Sequence, residues 1–158
     1  MLHAAARAGV DWRLVVLAAC ACARNALRHV PPGEARPLRA IETAEAWTRG
    51  EATAEQVSAA SFYAAQAASD ANANANANAA YAAYAAFYAS LASTKANADY
   101  SFDCVAYAAF HAAAASTAGR SPQASQRDAL REMTALVRSI IPTLNVLRGA
   151  RAKRPQTP

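Results

Sequence analysis

The sequence predicts an all-α fold: an antiparallel alanine-rich bundle or a short helical solenoid of about five to seven helices. Three observations carry this. Between Ala54 and Ala118 nearly every second residue is alanine, the strongest helix former. The two ends of the chain show apolar residues recurring every three or four positions. No segment has the run of β-branched and aromatic residues, bounded by turns, that marks a strand.

The first long helix is expected from Trp12 to His29, with Asp11 as its N-cap. Trp12, Val16, Ala19, Ala23 and Leu27 recur at helical steps and make one face apolar, with Arg13, Arg24 and Arg28 mostly off it. Val30-Pro31-Pro32-Gly33 stops that helix. Pro37 suits the first turn of a second helix, Arg36 to Arg49, and Gly50 suits its left-handed end. The buried stripe expected there is Leu38, Ile41, Ala44, Glu45 and Trp47 or Thr48. Thr53-Ala-Glu-Gln56 matches a capping box and starts a third helix, with Val57, Ala60, Ala64, Ala67 and Ala68 along one side.

The repeat Asn72-Ala-Asn-Ala-Asn-Ala-Asn78 has the two-residue period of a strand, but asparagine and alanine are both poor strand residues. One long helix, two helices with a break near Asp70 to Asn78, or a low-complexity linker remain open. An ice-binding role fits poorly, because a two-residue period scatters the amides around a helix. Tyr81, Tyr84, Tyr88 and Leu91 form a heptad-like seam, followed by Tyr100, Cys104, Tyr107 and His111 with Phe110 beside it. These rings read as core knobs between alanine-lined helices. Asn97 or Asp99 can cap the helix carrying the second seam, and Gly119 can end it. Ser121-Pro122 suggests the start of a last helix, bearing Leu130, Met133, Leu136, Val137, Ile140 and Ile141, with Pro142 ending or kinking it.

Charge is unevenly spread over the 158 residues. The net is +5, yet residues 34–55 hold five glutamates against three arginines, a net of −2. Residues 120–158 hold eight basic residues against Asp128 and Glu132. Residues 1–147 read as one helical domain and residues 148–158 as a basic tail. The tail is read first as a solvated terminus. A nucleic-acid role for Arg138, Arg148, Arg151, Lys153 and Arg154 is the weakest of the functional readings. The apolar run Leu14 to Cys22 is too short to span a bilayer, so no membrane association is expected.

The chemistry-bearing residues point away from catalysis. Only five glycines are present and none cluster into a phosphate loop. His3, His29 and His111 lack a nucleophile elbow or a strand framework to make a triad. Cys20, Cys22, Cys104 and His111 are zinc-ligand types at a wrong spacing, since two cysteines two apart on a helix point to different faces. Reduced, buried thiols and a reducing cytoplasm are expected instead. No catalytic residue, metal or cofactor is therefore expected. Glu42 and Glu45, three apart and near Arg39 and Arg49, read as helix-surface ion pairs or as a face for a partner.

Trp12-Arg-Leu-Val-Val-Leu-Ala-Ala-Cys20, Arg24-Asn-Ala-Leu27, Val30-Pro31, Arg36-Pro-Leu-Arg-Ala-Ile-Glu-Thr-Ala-Glu-Ala-Trp47 and Arg49-Gly-Glu-Ala-Thr53 together resemble bacterial immunity proteins of the immunity-protein-five-like type, found with polymorphic toxin systems. The Ala/Tyr/Asn-rich continuation with Ala79-Ala-Tyr-Ala-Ala-Tyr84 is similar to the alanine-rich helical part of that family. The resemblance spans roughly residues 11–118. It implies a cytoplasmic, non-enzymatic protein that neutralises a cognate toxin by binding it. It puts weight on Arg39, Glu42, Glu45, Trp47 and Arg49 as partner-binding candidates: the carboxylates could meet a basic toxin surface and the indole could anchor it. From another class, a self-associating scaffold packed through the Ala/Tyr seams, a homo-oligomer, is the alternative reading.

Overall fold

The computed structural model describes residues 11–94, 98–117 and 122–141. Among them the fold is all-α, with six α-helices and no strand: α1 (Trp12–Ala26), α2 (Arg36–Thr48), α3 (Ala54–Ala73), α4 (Ala77–Thr94), α5 (Ala98–Thr117) and α6 (Pro122–Ile140). Several local signals act as expected. The Asp11 side chain accepts from the Arg13 N–H at 2.9 Å and opens α1, which tightens into a 3₁₀ turn, Leu27–His29. Pro37 lies in the first turn of α2. Gly50 follows α2 at φ +77°, a conformation that costs glycine little, and its N–H donates to the Trp47 carbonyl at 3.0 Å. The capping box forms: the Gln56 N–H donates to Thr53 Oγ1 and the Thr53 N–H donates to Gln56 Oε1.

The Asn-Ala repeat makes two helices with a tight break between them. The Asn76 N–H donates to the Ala71 carbonyl and the Ala75 N–H to that of Asn72, the paired bonds of a Schellman end. Asn76 then caps α4, its Oδ1 accepting from the Ala79 N–H at 3.2 Å. Low complexity thus suits this corner, because every second residue is a capping side chain. The phase has one cost: the left-handed position falls on Ala75, at φ +55°. Ala75→Gly is expected to raise stability by roughly 0.5–1 kcal/mol, because about 1–2 kcal/mol of left-handed strain disappears while a more flexible unfolded chain returns part of it. Chemical denaturation of the two proteins measures this.

α1 and α4 form the centre and pack on each other. α1 also meets α2, α5 and α6; α4 also meets α2, α3 and α5; α3 packs on α2, and α6 on α5. This pattern of neighbours is unchanged when α1, α2 and α3 exchange places with α4, α5 and α6. Centrality alters the expected faces. α1 buries Val15, Val16, Ala18, Ala19, Cys20, Cys22, Ala23 and Ala26, which is most of its circumference rather than one stripe. Trp12, assigned to the apolar face, is exposed at its start, and Leu27 is half-buried. On α2, Ile41, Ala44 and Thr48 are buried as expected. Pro37 and Ala40 take the place of Leu38, which is half-buried, as are Glu45 and Trp47.

The core is built from methyl groups. Ala82, Ala85, Ala86, Ala89 and Ala92 of α4 are fully buried, beside Val15, Val16, Ile41, Val57 and Val105. The reading of the ring seams as core knobs is corrected here: Tyr81, Tyr107 and Phe110 are exposed, and Tyr84 and Tyr88 half-buried. An alanine-lined seam brings the backbones too close together to leave room for a tyrosine ring between them, so the rings stand at its margin. Ser90 and Ser93, also buried in α4, satisfy their hydroxyls on carbonyls of their own helix, Ser90 Oγ donating to Ala86 at 3.0 Å and Ser93 Oγ to Ser90 at 2.6 Å. Cys20, Cys22 and Cys104 are buried, and none of them is in a disulfide. Burial pushes Cys22 up to about 12 and Cys20 higher still, which favours the neutral thiol of both at neutral pH.

The expected caps Asn97, Gly119 and Ser121, together with Pro142 and the 148–158 tail, lie outside the described residues. Asp99 falls inside α5, and its side chain lies outside what is described. Among the described residues no helix is long and apolar enough to cross a membrane.

Candidate partner-binding groove

The five charged and aromatic residues singled out around α2 separate into three groups. Glu45 accepts a bidentate pair from Arg24 of α1, both contacts at 2.7 Å. Trp47 packs against Trp12, ring centroids 4.3 Å apart. With the Cys20 thiol lying against the Ile41 carbonyl, these contacts hold the C-terminal half of α2 onto α1. Arg49 is taken by Glu51 at 2.7 Å, across the turn into α3. Glu45, Trp47 and Arg49 are thus spent within the chain, and no partner is needed to explain them.

Arg39 and Glu42 are different. Both are exposed, and neither side chain has a hydrogen-bond or ion-pair partner among the described residues. Both line a groove of about 910 Å³ between α2 and α3, with Thr43, Ala46, Ala59 and Tyr63. Arg36 sits at one end, where it bridges Glu34 and, at 2.8 Å, Asp70 of α3. That hydrogen bonding holds the Glu34 carboxyl below its ordinary range. Small residues from both helices form the floor, because Ala46, Ala59 and Ala60 leave room where larger side chains would fill it.

Two bulky residues of α3 stand beside the groove. Phe62 is 60% and Tyr63 53% exposed, with ring centroids 6.0 Å apart. The sequence reading did not single them out. The signal was present: both fall off the Val57, Ala64, Ala67 and Ala68 stripe that α3 buries, so helical periodicity alone sends them outward. Adjacent exposed aromatics beside a cleft are an unusual use of apolar surface in a chain otherwise rich in methyls.

A second aromatic surface lies on α4 and α5 around His111. Tyr88 stacks on His111 (5.3 Å, 6° between planes) and on Tyr107 (4.9 Å), while Tyr84, Tyr81 and Phe110 ring the imidazole at 5.4–5.9 Å. His111 Nδ1 is buried with no hydrogen-bond partner among the described residues, and burial lowers the imidazole below its ordinary 6.5. The folded chain therefore favours neutral His111, and the unfolded chain takes up the proton first. Stability is expected to fall as pH drops through 6.5. His29 is lowered too, so His111→Phe should weaken this dependence without abolishing it. Glu34, Glu51 and Glu55 are held below 4.5, so they contribute stability above that value and lose it only in more acidic solution. Melting temperatures of the two proteins across this range make the comparison.

Among the described residues no group of three or more His, Cys, Asp or Glu side chains could hold a metal ion. Of the basic residues considered for nucleic acid, only Arg138 is described. It is half-buried, on α6, with its Nε unpartnered among the described residues. No protein-family model, curated protein or solved structure matches the chain.

Proposed function

We propose that this chain is a non-enzymatic, cytoplasmic immunity protein that binds and neutralises a cognate bacterial toxin, and that the toxin docks along the α2–α3 groove. One observation carries the choice of surface: Arg39 and Glu42, without a hydrogen bond or ion pair among the described residues, share a cleft with Tyr63, next to the exposed Phe62. The Arg36 to Thr53 block, which bears the resemblance to immunity proteins, builds one wall of that cleft. Tyrosine and phenylalanine offer large, stiff contact area at low entropic cost, and an opposite-charge pair at the rim selects partners and speeds encounter. A toxin-neutralising role requires no reacting group, only a surface that covers one.

The test is co-expression with the toxin of the neighbouring gene. The unaltered chain should rescue cells and co-purify with that toxin. Phe62→Ala/Tyr63→Ala should lose rescue while keeping its melting temperature, since both rings lie outside the core. No rescue and no complex with the unaltered chain would end the proposal.

The scaffold reading is less well supported. It relied on alanine seams meeting between chains, and the α4 alanines are already buried inside one chain.

A further inference from the structure

We propose that the outer ridge of α2 is self-complementary, and that the free protein pairs with a second copy of itself through it about a twofold axis. At 100° per residue, Ala35, Arg39, Glu42 and Ala46 fall on one stripe. That stripe lies opposite the buried Pro37, Ala40, Ile41, Ala44 and Thr48. It reads small, basic, acidic, small, and is its own complement when the helix is reversed about the point between Ala40 and Ile41. Antiparallel pairing of two α2 helices then sets Arg39 against the partner's Glu42, and Glu42 against the partner's Arg39. Ala35 falls opposite the partner's Ala46, so two small residues at each end let the backbones approach. Isologous pairing of this kind uses each contact twice.

The charge pattern favours a second copy over any other occupant. Every other ionised side chain of α2 is engaged within the chain: Arg36 by Glu34 and Asp70, and Glu45 by Arg24. Among the described residues Arg39 and Glu42 are the two charged side chains of this helix with no hydrogen bond or ion pair, Glu42 acting on Arg24 only from a distance. They are three apart with opposite signs, the spacing that an antiparallel copy satisfies and a surface of one sign does not. Tyr63, exposed on the neighbouring helix, lines the same groove and gains cover from the copy. The inference stands without the immunity reading. Should that reading hold too, the dimer occupies the toxin's groove, and the toxin must displace one protomer from the other.

Sedimentation equilibrium of the full chain at low salt tests it, with no toxin present. A monomer–dimer equilibrium that weakens as salt rises is expected. Arg39→Glu and Glu42→Arg should each weaken self-association about tenfold or more, because each replaces two attractions by two repulsions. The double variant Arg39→Glu/Glu42→Arg should restore the dimer. An equal mixture of the two single variants should form a heterodimer tighter than either alone. A chain that stays monomeric overturns the inference. So does a dimer indifferent to both single swaps, including one lost instead on Tyr107→Ala/Phe110→Ala, or a double swap no better than the singles.

Discussion

Ala85→Leu is expected to cost the fold about 1–3 kcal/mol, a large share of the 5–15 kcal/mol that holds a typical domain together. In most helices the exchange would be mild, because leucine is nearly as good a helix former as alanine. Here it is not. Ala85 is fully buried in α4, which packs on α1, α2, α3 and α5. On the enclosed face where Ala85 lies, an isobutyl group has no space into which to turn. The leucine must force two helices apart, and the contacts along both suffer. Ala77→Leu, at the exposed start of α4, is the internal comparison and should shift stability by no more than about 0.5 kcal/mol. Urea denaturation of both variants separates packing from helix propensity.

Ile41→Ala has the opposite character and a similar or greater effect, about 2–5 kcal/mol. Ile41 is among the largest fully buried side chains, on the α2 face that meets the rest of the fold. Where so many neighbours are alanine, few side chains can swing in to fill the space. The residual cavity should keep most of its volume, which places the loss high in the range for such truncations. The change also loosens the seat of α2, one wall of the groove. Partner binding should therefore weaken more for Ile41→Ala than the distance of Ile41 from the groove suggests.

How much of this was legible in the residues differs by element. Helix limits were well marked, because Asp11, Pro37, Gly50 and the Thr53–Gln56 box are local devices that act through their own backbone. The break in the Asn-Ala repeat was one of three options, since the same asparagines cap, interrupt or decorate a helix depending on what packs nearby. The faces were harder. An alanine pattern does not say which side of a helix is covered when several sides are, so α1 read as having one stripe and is buried nearly all round. Ring burial was misread for the same reason: spacing placed Tyr81, Tyr107 and Phe110 on seams, but not how closely those seams shut.

The candidate site was half visible. Charge and spacing drew attention to Arg39, Glu42, Glu45, Trp47 and Arg49 together, but only tertiary structure shows that Arg24, Trp12 and Glu51 claim the last three. Arg24 is twenty-one residues from Glu45 in the chain, and no periodicity links them. Phe62 and Tyr63 were legible in principle, as bulky residues off the buried stripe of an alanine helix.

In the proposed function the alanine core is scaffold and the α2–α3 groove is the binding surface. Calorimetric titration of the neighbouring gene's product, the proposed toxin, into three proteins tests it most directly: the unaltered chain, Phe62→Ala/Tyr63→Ala and Tyr107→Ala/Phe110→Ala. The expected result is an affinity lowered at least about tenfold, or 1.4 kcal/mol, by the first pair and little changed by the second. Loss of affinity through Tyr107 and Phe110, with Phe62 and Tyr63 indifferent, would move the binding surface to α4 and α5 and contradict the groove as the docking site.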